Sequence, residues 1–181
     1  MTSDQKFLNH YFKYHWKPST DAYQWSSYET IAGKIKDTEW LLDVGCGVNP
    51  FKQLVKNCVG IDPARDEADH TVTIEDYIPD RLFDIATCLG SINFGTEETI
   101  LLQIEKVVSC LKEDAIIYWR SNPGRRDHAH QDCNEIDFFP WSFEYHRQYA
   151  KQFGFVCVNE QIESNGKVER LYCEWRRLFL C

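Results

Sequence analysis

The stretch of sequence that decides the fold is residues 40–51, WLLDVGCGVNPF. An apolar run ends in an acid, Asp43, and two glycines one residue apart follow it. Glycine has no Cβ atom, so Gly45 and Gly47 permit positive φ angles and let a ligand approach the backbone closely. A buried strand that stops at such a turn predicts a ligand-binding edge at the carboxyl end of a sheet.

Strand-like and helical patterns alternate on both sides of this stretch. A closing hairpin is predicted around Asn165-Gly166, which lies between two strand-like runs. This alternation predicts a single-domain Rossmann-like α/β fold, with a mostly parallel sheet, one antiparallel strand from the C-terminal hairpin and helices on both faces. The predicted strands are 39–44, 57–62, 70–76, 82–90 and 113–120 before the hairpin, and the predicted helices are 27–36, 50–56, 96–112 and, within 141–155, one that stops at Gly154.

A second acid, Asp62, ends the second predicted strand, 19 positions after Asp43. This is close to the roughly 20-residue offset at which an acid reaches ribose hydroxyls in nucleoside-binding folds. Pro50 stands where dinucleotide binders have a third glycine, and no Gly-Lys-Ser or Gly-Lys-Thr occurs. The pattern therefore predicts a site for a nucleoside without phosphates. Two simpler interpretations stay open: a tight turn at the glycines and a helix cap at Asp62.

With these features the sequence resembles the class I S-adenosylmethionine-dependent methyltransferases over residues 27–178. LLDVGCG (41–47) is similar to the motif that holds the methionine part of the cofactor, and VGID (59–62) to the motif whose acid binds ribose. FDIATCLGSINF (83–94) is similar to the strand and loop that pass beneath the sulfonium and face the acceptor. Asn49 departs from the family pattern, where many members have a third glycine.

The resemblance implies S-adenosylmethionine as the cofactor. It places the adenine contact at Asp76 or Glu75, within IEDY (74–77). The implied cofactor-binding residues are Asp43, Gly45, Cys46, Gly47, Asp62, Pro63, Glu75, Asp76, Leu89, Gly90 and Ser91.

The acceptor side is predicted in two loops. Asn93 and Phe94 follow the fourth predicted strand, which has no Pro-Pro-aromatic loop of the kind that DNA-base methyltransferases carry. The long segment 120–141 follows the next strand, and long unpatterned loops are often functional. In it, His128 or His130 is a candidate general base, and Arg125 or Arg126 is a candidate clamp for an anionic group of the acceptor. The alternative is that these are solvated loop residues.

The N-terminal segment 1–26 is rich in aromatic residues and is predicted to form a cap or lid beside the domain 27–181. Tyr14 and Trp16 are its candidate substrate-binding residues. The alternative is that these rings pack on the sheet as core.

Composition limits the partners and the chemistry. The net charge is −8, and residues 62–113 hold twelve acids against four bases, which makes a nucleic-acid partner unlikely. No apolar run reaches the length of a membrane span, and no apolar segment of the secretory type begins the chain. The eight cysteines lack metal or redox spacing, so reduced thiols in a cytoplasmic protein are expected. A zinc site from His128, His130 and Cys133 would need a fourth ligand, so no metal is predicted.

The sequence therefore favours a methyltransferase that acts on a small-molecule acceptor. The alternatives are methylation of a protein or nucleic acid, and a catalytically silent binding subunit of the same fold. The acceptor and the oligomeric state do not follow from the sequence.

Overall fold

The computed structural model describes residues 3–16, 27–125, 136–166 and 168–178. In these ranges, no helix combines the length and apolar character needed to cross a membrane. The helices are α1 (Ser3–Tyr14), α2 (Ser27–Ala32), α3 (Glu97–Ser109) and α4 (Phe143–Gln152). The strands are β1 (Leu41–Val44), β2 (Cys58–Ile61), β3 (Phe83–Leu89), β4 (Leu111–Ser121), β5 (Phe155–Ser164) and β6 (Glu169–Arg177).

The six strands form one sheet in the order β2-β1-β3-β4-β6-β5. β2, β1, β3 and β4 pair in parallel, whereas β6 is antiparallel to both β4 and β5. The predicted mostly parallel sheet with one antiparallel strand from the closing hairpin is therefore confirmed. The chain leaves β1 toward β2 and then crosses back to β3, so the switch point where such sheets bind ligands lies beside β1.

Local sequence explains where α3 and α4 begin. Thr96 and Ser142 have extended backbones, and their hydroxyls accept hydrogen bonds from the N–H groups of Thr99 and Tyr145. These bonds satisfy donors that the first turn of a helix leaves free. α4 is followed by Gly154, whose φ of 80° suits the residue after a helix.

The helices cover the sheet on two faces. On one face, α3 and α4 pack on the larger core, which includes the buried Trp119 and Trp175. On the other face, Ile31 of α2 and Phe51 of a 3₁₀ turn (Pro50–Gln53) are fully buried against β1, β3 and β4. The prediction of helices on both faces is confirmed.

The prediction of a third strand over residues 70–76 is wrong. His70 forms a single bridge to Ile61, and residues 74–76 form a turn. The reason lies at the outer edge of β2. The N–H of Gly60 donates to Asp69 Oδ2 at 2.9 Å, and the carbonyl of Gly60 accepts from the N–H of Asp69, also at 2.9 Å. Because Asp69 occupies both backbone groups, the edge is closed without another strand.

Several element boundaries also differ from the prediction. The helix expected over 27–36 ends at Ala32, because Lys34 and Ile35 donate to carbonyls three residues back and tighten the chain into a turn. The helix expected over 50–56 is only the 3₁₀ turn 50–53. The fifth predicted strand begins at Leu111 rather than at 113.

Substitution of Asp69 tests how the edge of β2 is closed. Asp69→Ala removes the bond to Gly60 and the 2.7 Å ion pair with Lys52, so we expect the free energy of unfolding to fall by about 1–2 kcal/mol. Asp69→Asn keeps an acceptor for Gly60 and should recover most of the loss, because half-exposed ion pairs contribute little. Urea unfolding of both variants is the measurement. An equal loss in both would assign the effect to the ion pair.

Candidate cofactor-binding and acceptor site

The glycine turn after β1 adopts the conformation that its sequence requires. Gly45 and Gly47 have φ angles of 66° and 58°. A Cβ atom added to Gly45 would lie 2.2 Å from Cβ of Ser91, so the turn packs directly on the loop after β3. A side chain at Gly45 would therefore be strained in φ and would also push these two loops apart.

Asn49 performs a role in this turn that the sequence did not indicate. Its backbone is left-handed, with φ of 56°, and its side chain packs against the backbone of Gly60. Its Nδ2 donates to the carbonyl of Glu67 at 3.2 Å. Asn49 thus links the turn to the loop after β2.

Asp43 is buried at the end of β1, with 2% of its surface exposed. Its Oδ1 accepts a hydrogen bond from Thr87 Oγ1 at 2.7 Å, and its Oδ2 has no hydrogen-bond partner among the described residues. Burial raises the pKa of this carboxyl to about 7, although the Thr87 bond and the charge of Arg120 act in the opposite direction. A buried acceptor without a partner is costly. Asp43 is therefore suited to take a donor from a bound molecule.

Asp62 follows β2 and joins it to the glycine turn. Its Oδ2 accepts from the N–H of Gly47 at 3.0 Å, and its Oδ1 accepts from the N–H of Ala64 at 2.8 Å. Burial raises the pKa of Asp62, while these two backbone bonds lower it. No helix begins in residues 63–76, which the structure describes in full, so Asp62 is not a helix cap. Pro63 lies partly buried in the turn after Asp62.

The two acids predicted to meet adenine have different surroundings. Glu75 accepts a 2.8 Å hydrogen bond from Nε2 of Gln103, which belongs to α3. Asp76 is exposed, and its Oδ2 accepts a 3.3 Å hydrogen bond from the hydroxyl of Thr73, three residues earlier. Glu75 therefore holds the turn 74–76 on α3, whereas Asp76 faces solvent.

The loop after β3 places a buried side-chain oxygen, and a glycine with free space beside its Cα atom, next to the glycine turn. Oγ of Ser91 is buried and has no hydrogen-bond partner among the described residues. Gly90 has φ of 105°, and a Cβ atom added there would meet nothing within 4 Å. Cys46, on the opposite side of the turn, is buried, and burial raises the pKa of its thiol.

Arg120 belongs to this site, although it is not among the site residues that the sequence predicted. It is 4% exposed and donates from Nη2 to the carbonyl of Leu89 at 3.1 Å and from Nη1 to Ser27 Oγ at 2.9 Å. Its charge lowers the pKa of Asp43. Because side chains alternate between the two faces of a strand, Arg120 lies on the same face of β4 as Tyr118. Only the structure shows that this face is buried and that Arg120 therefore acts on Asp43.

Asn93 holds two loops together. It is 4% exposed; its Oδ1 accepts from the N–H of Asn122 at 2.9 Å, and its carbonyl accepts from the N–H of Phe139 at 2.8 Å. Trp141 strengthens the same junction by donating from Nε1 to the carbonyl of Ile92 at 2.8 Å. The Asn93 side chain is therefore engaged in joining the loops that follow β3 and β4.

Of the four residues in the loop after β4 that were predicted to act on the acceptor, the structure describes Arg125. Arg125 is exposed and forms a 3.0 Å ion pair with Glu169 of β6. Its backbone N–H and carbonyl are both held by the side chain of Asn122. Arg126, His128 and His130, together with Cys133 of the possible zinc site, lie outside the described residues.

α1 lies against the loops at the carboxyl edge. The ring of Phe12 is 5.5 Å from that of Phe94, which is 5.3 Å from that of Phe138. At the end of α1, the Trp16 ring is 4.7 Å from the guanidinium of Arg65 in the loop after β2. Tyr14 is 62% exposed and points away from this cluster of rings.

Comparisons with known proteins identify the fold. No protein-family model and no curated sequence matches the chain. Among solved structures, 1,6-didemethyltoxoflavin-N1-methyltransferase of Burkholderia thailandensis matches with a TM-score of 0.74 and 13% identity, over 99% of this chain and 92% of that chain. Magnesium protoporphyrin IX methyltransferase of Synechocystis PCC 6803 matches with a TM-score of 0.71 and 13% identity, over 98% and 99%.

An S-adenosylmethionine-dependent methyltransferase of Clostridium acetobutylicum matches at 18% identity, with a TM-score of 0.63 over 96% of this chain and 98% of that one. The three structures share one architecture with this chain over nearly its whole length. The chain has the class I S-adenosylmethionine-dependent methyltransferase fold, as the sequence motifs predicted.

The raised pKa of Asp43 predicts a specific pH dependence of stability. Between about pH 4 and 7 the folded protein holds a proton that the unfolded chain has released, so the contribution of Asp43 to stability falls as pH rises through 7. Asp43→Asn keeps the shape without the charge. We expect its free energy of unfolding, relative to wild type, to increase by roughly 2 to 4 kcal/mol from pH 5 to pH 9. Urea unfolding at both pH values measures it; a constant difference would show that Asp43 does not titrate in this range.

Proposed function

We propose that this protein is an S-adenosylmethionine-dependent methyltransferase that acts on a small-molecule acceptor. One observation carries the proposal. At the switch point of a methyltransferase fold, the glycine turn is bonded to Asp62 and stands beside Asp43, a buried carboxyl group whose Oδ2 has no hydrogen-bond partner within the described part of the chain. A catalytically silent fold would have no reason to keep this costly arrangement.

The residues at this edge fit the proposed cofactor. Asp43 Oδ2 and Ser91 Oγ are buried polar atoms ready to accept from or donate to a ligand. Each oxygen of Asp62 uses one of its acceptor positions for a backbone N–H and retains another, which suits a ribose diol. The charge of Asp62, together with that of Asp43 in its ionised form, would repel phosphates and favour a cationic ligand. We therefore propose Asp43, Asp62 and the backbone of Gly45 to Gly47 as the cofactor contacts.

In methyl transfer from a sulfonium the leaving group is already activated, so the cofactor supplies the reactive methyl group itself. The protein then mainly aligns the two reactants. Here the turn and the loop after β3 are packed together at Gly45 and Ser91, which fixes the geometry of that edge. A general base is required only if the acceptor must lose a proton, and His128 or His130 stays the proposal for that role.

The basic groups around the described edge support a small acceptor rather than a polyanion. Lys13 pairs with Asp66, Arg125 pairs with Glu169, and Arg120 is buried with its own partners. Nucleic-acid binding needs basic side chains available for phosphates. The aromatic cluster of α1 with Phe94 and Phe138 instead offers apolar surface over the site. We therefore propose that segment 1–26 forms the lid of an acceptor chamber.

The first test is cofactor binding. We expect calorimetry to detect binding of S-adenosylhomocysteine and S-adenosylmethionine, and much weaker binding of NAD and ATP, because the edge lacks a phosphate-binding loop. Incubation with methyl-labelled S-adenosylmethionine and a cell extract should then label small molecules. Labelled protein or nucleic acid would support the macromolecular alternative. Binding without any labelled product would support a silent binding subunit, and tighter NAD binding would contradict the proposal.

Asp62 provides a sharper test of the site. Asp62→Ala removes the proposed ribose acceptor, so we expect S-adenosylhomocysteine to bind about 30- to 1000-fold more weakly. Loss of the bonds to Gly47 and Ala64 should also lower the free energy of unfolding by about 1–2 kcal/mol. Calorimetry and urea unfolding measure the two effects on one preparation.

Asp69→Ala is the matched control, because it destabilises the same loop without removing the proposed ribose contact. Its affinity for S-adenosylhomocysteine should stay within about threefold of wild type. If Asp69→Ala weakened binding as much as Asp62→Ala, the loss would come from loop order rather than from a ribose contact.

A further inference from the structure

α1 is fastened at its C-terminal end to the loop that carries Asp62. Arg65 Nη2 donates to the carbonyl of Trp16 at 2.8 Å, and the Arg65 guanidinium lies 4.7 Å from the centre of the Trp16 ring. Nearby, Lys13 Nζ is 3.5 Å from Asp66 Oδ1. The same helix touches the loop after β3 through Phe12 and Phe94. α1 therefore bridges the loops on both sides of the glycine turn.

The contacts between Arg65 and Trp16 are stronger than the ion pair between Lys13 and Asp66, which also joins this end of α1 to the loop. Lys13 and Asp66 form an exposed pair, with side chains 44% and 81% exposed, and such pairs contribute little to stability. Arg65 is partly buried and combines a charged hydrogen bond with a cation–π contact. Of these two contacts between α1 and the loop, the one made by Arg65 is therefore the more important.

Arg65 is also close to the proposed cofactor acid. It follows Asp62 by three residues, and its positive charge lowers the pKa of that carboxyl, against the effect of burial. One side chain therefore contacts the helix over the site and influences the group proposed to hold ribose. None of the sequence motifs of the site includes Arg65 or pairs it with Trp16.

We propose that Arg65 and Trp16 form a latch that holds α1 over the bound cofactor and slows its release. This inference rests on the proposed function. Both are positioning residues: Arg65 acts on the cofactor through Trp16 and α1. Opening the latch frees the C-terminal end of α1, and the nucleoside side of the site then opens to solvent.

The rate of cofactor release tests the latch. Tritiated S-adenosylmethionine is bound to the full chain and chased with excess unlabelled S-adenosylhomocysteine. We expect Arg65→Ala to release the cofactor roughly tenfold faster than wild type, corresponding to about 1.4 kcal/mol. Trp16→Ala loses the ring but keeps the backbone carbonyl that Arg65 binds, so its release should be faster than that of wild type and slower than that of Arg65→Ala. Trp16→Phe keeps a ring beneath the guanidinium and should restore most of the slow release. Because Arg65→Ala already removes both the cation–π contact and the bond to the Trp16 carbonyl, the double variant should be no faster than Arg65→Ala alone.

Arg81→Ala is the matched control. Arg81 stacks over Trp40 at 3.8 Å, so the same kind of contact is removed, but from the segments that precede β3 and β1 at the opposite edge of the sheet. Its release rate should equal that of wild type. An equal acceleration in Arg81→Ala would overturn the latch, because it would reflect a general loosening of the fold.

Tryptic cleavage after Lys13 gives a second measurement that does not depend on release rates. In wild type, added S-adenosylhomocysteine should slow this cleavage by holding α1 closed; in Arg65→Ala it should not.

A wild-type release rate in Arg65→Ala, or additive effects in the double variant, would overturn the latch and leave the proposed function standing. If wild type bound no S-adenosylmethionine, the proposed function itself would fail.

Discussion

Three successive backbone N–H groups fix the turn on which the site depends. Those of Gly45 and Cys46 both donate to the carbonyl of Ile61, at 2.8 and 3.0 Å, and that of Gly47 donates to Asp62. The end of β2 therefore determines the shape of the chain after β1. Because a peptide N–H is an obligatory donor, the turn cannot widen without leaving several of these groups unpaired. The glycines make the turn possible, and the second strand sets its geometry.

The loop after β2 replaces a strand and also serves the site. It begins with Asp62, which holds the glycine turn, and it closes the sheet edge at Asp69. Between these residues, Glu67 accepts from Asn49 and Arg65 binds the end of α1. A regular third strand would spend its backbone groups on pairing with β2. The irregular loop instead closes the edge with the side chain of Asp69. Its Glu67 carbonyl is then available to Asn49, and its Arg65 side chain to the end of α1.

The acceptor side is organised by the loops themselves. Asn93 and Trp141 join the segments after β3 and β4 through buried hydrogen bonds, and α1 adds a layer of rings above them. Polar side chains that look available in the sequence, such as Asn93 and Arg125, are engaged in holding this framework together. In a buried junction each donor needs an acceptor, so such residues have structural partners before any substrate arrives.

The sequence by itself determined the order of strands and helices, the closing hairpin and the glycine turn with its two acids, because periodicity and glycine conformation act over a few neighbouring residues. It predicted a third strand at 70–76 because local alternation says nothing about whether an edge is already occupied, and here Asp69 occupies it. It also missed Arg120 and Arg65. Their roles arise from contacts with Leu89 and Trp16, which are distant in the chain, and only the tertiary structure brings such partners together.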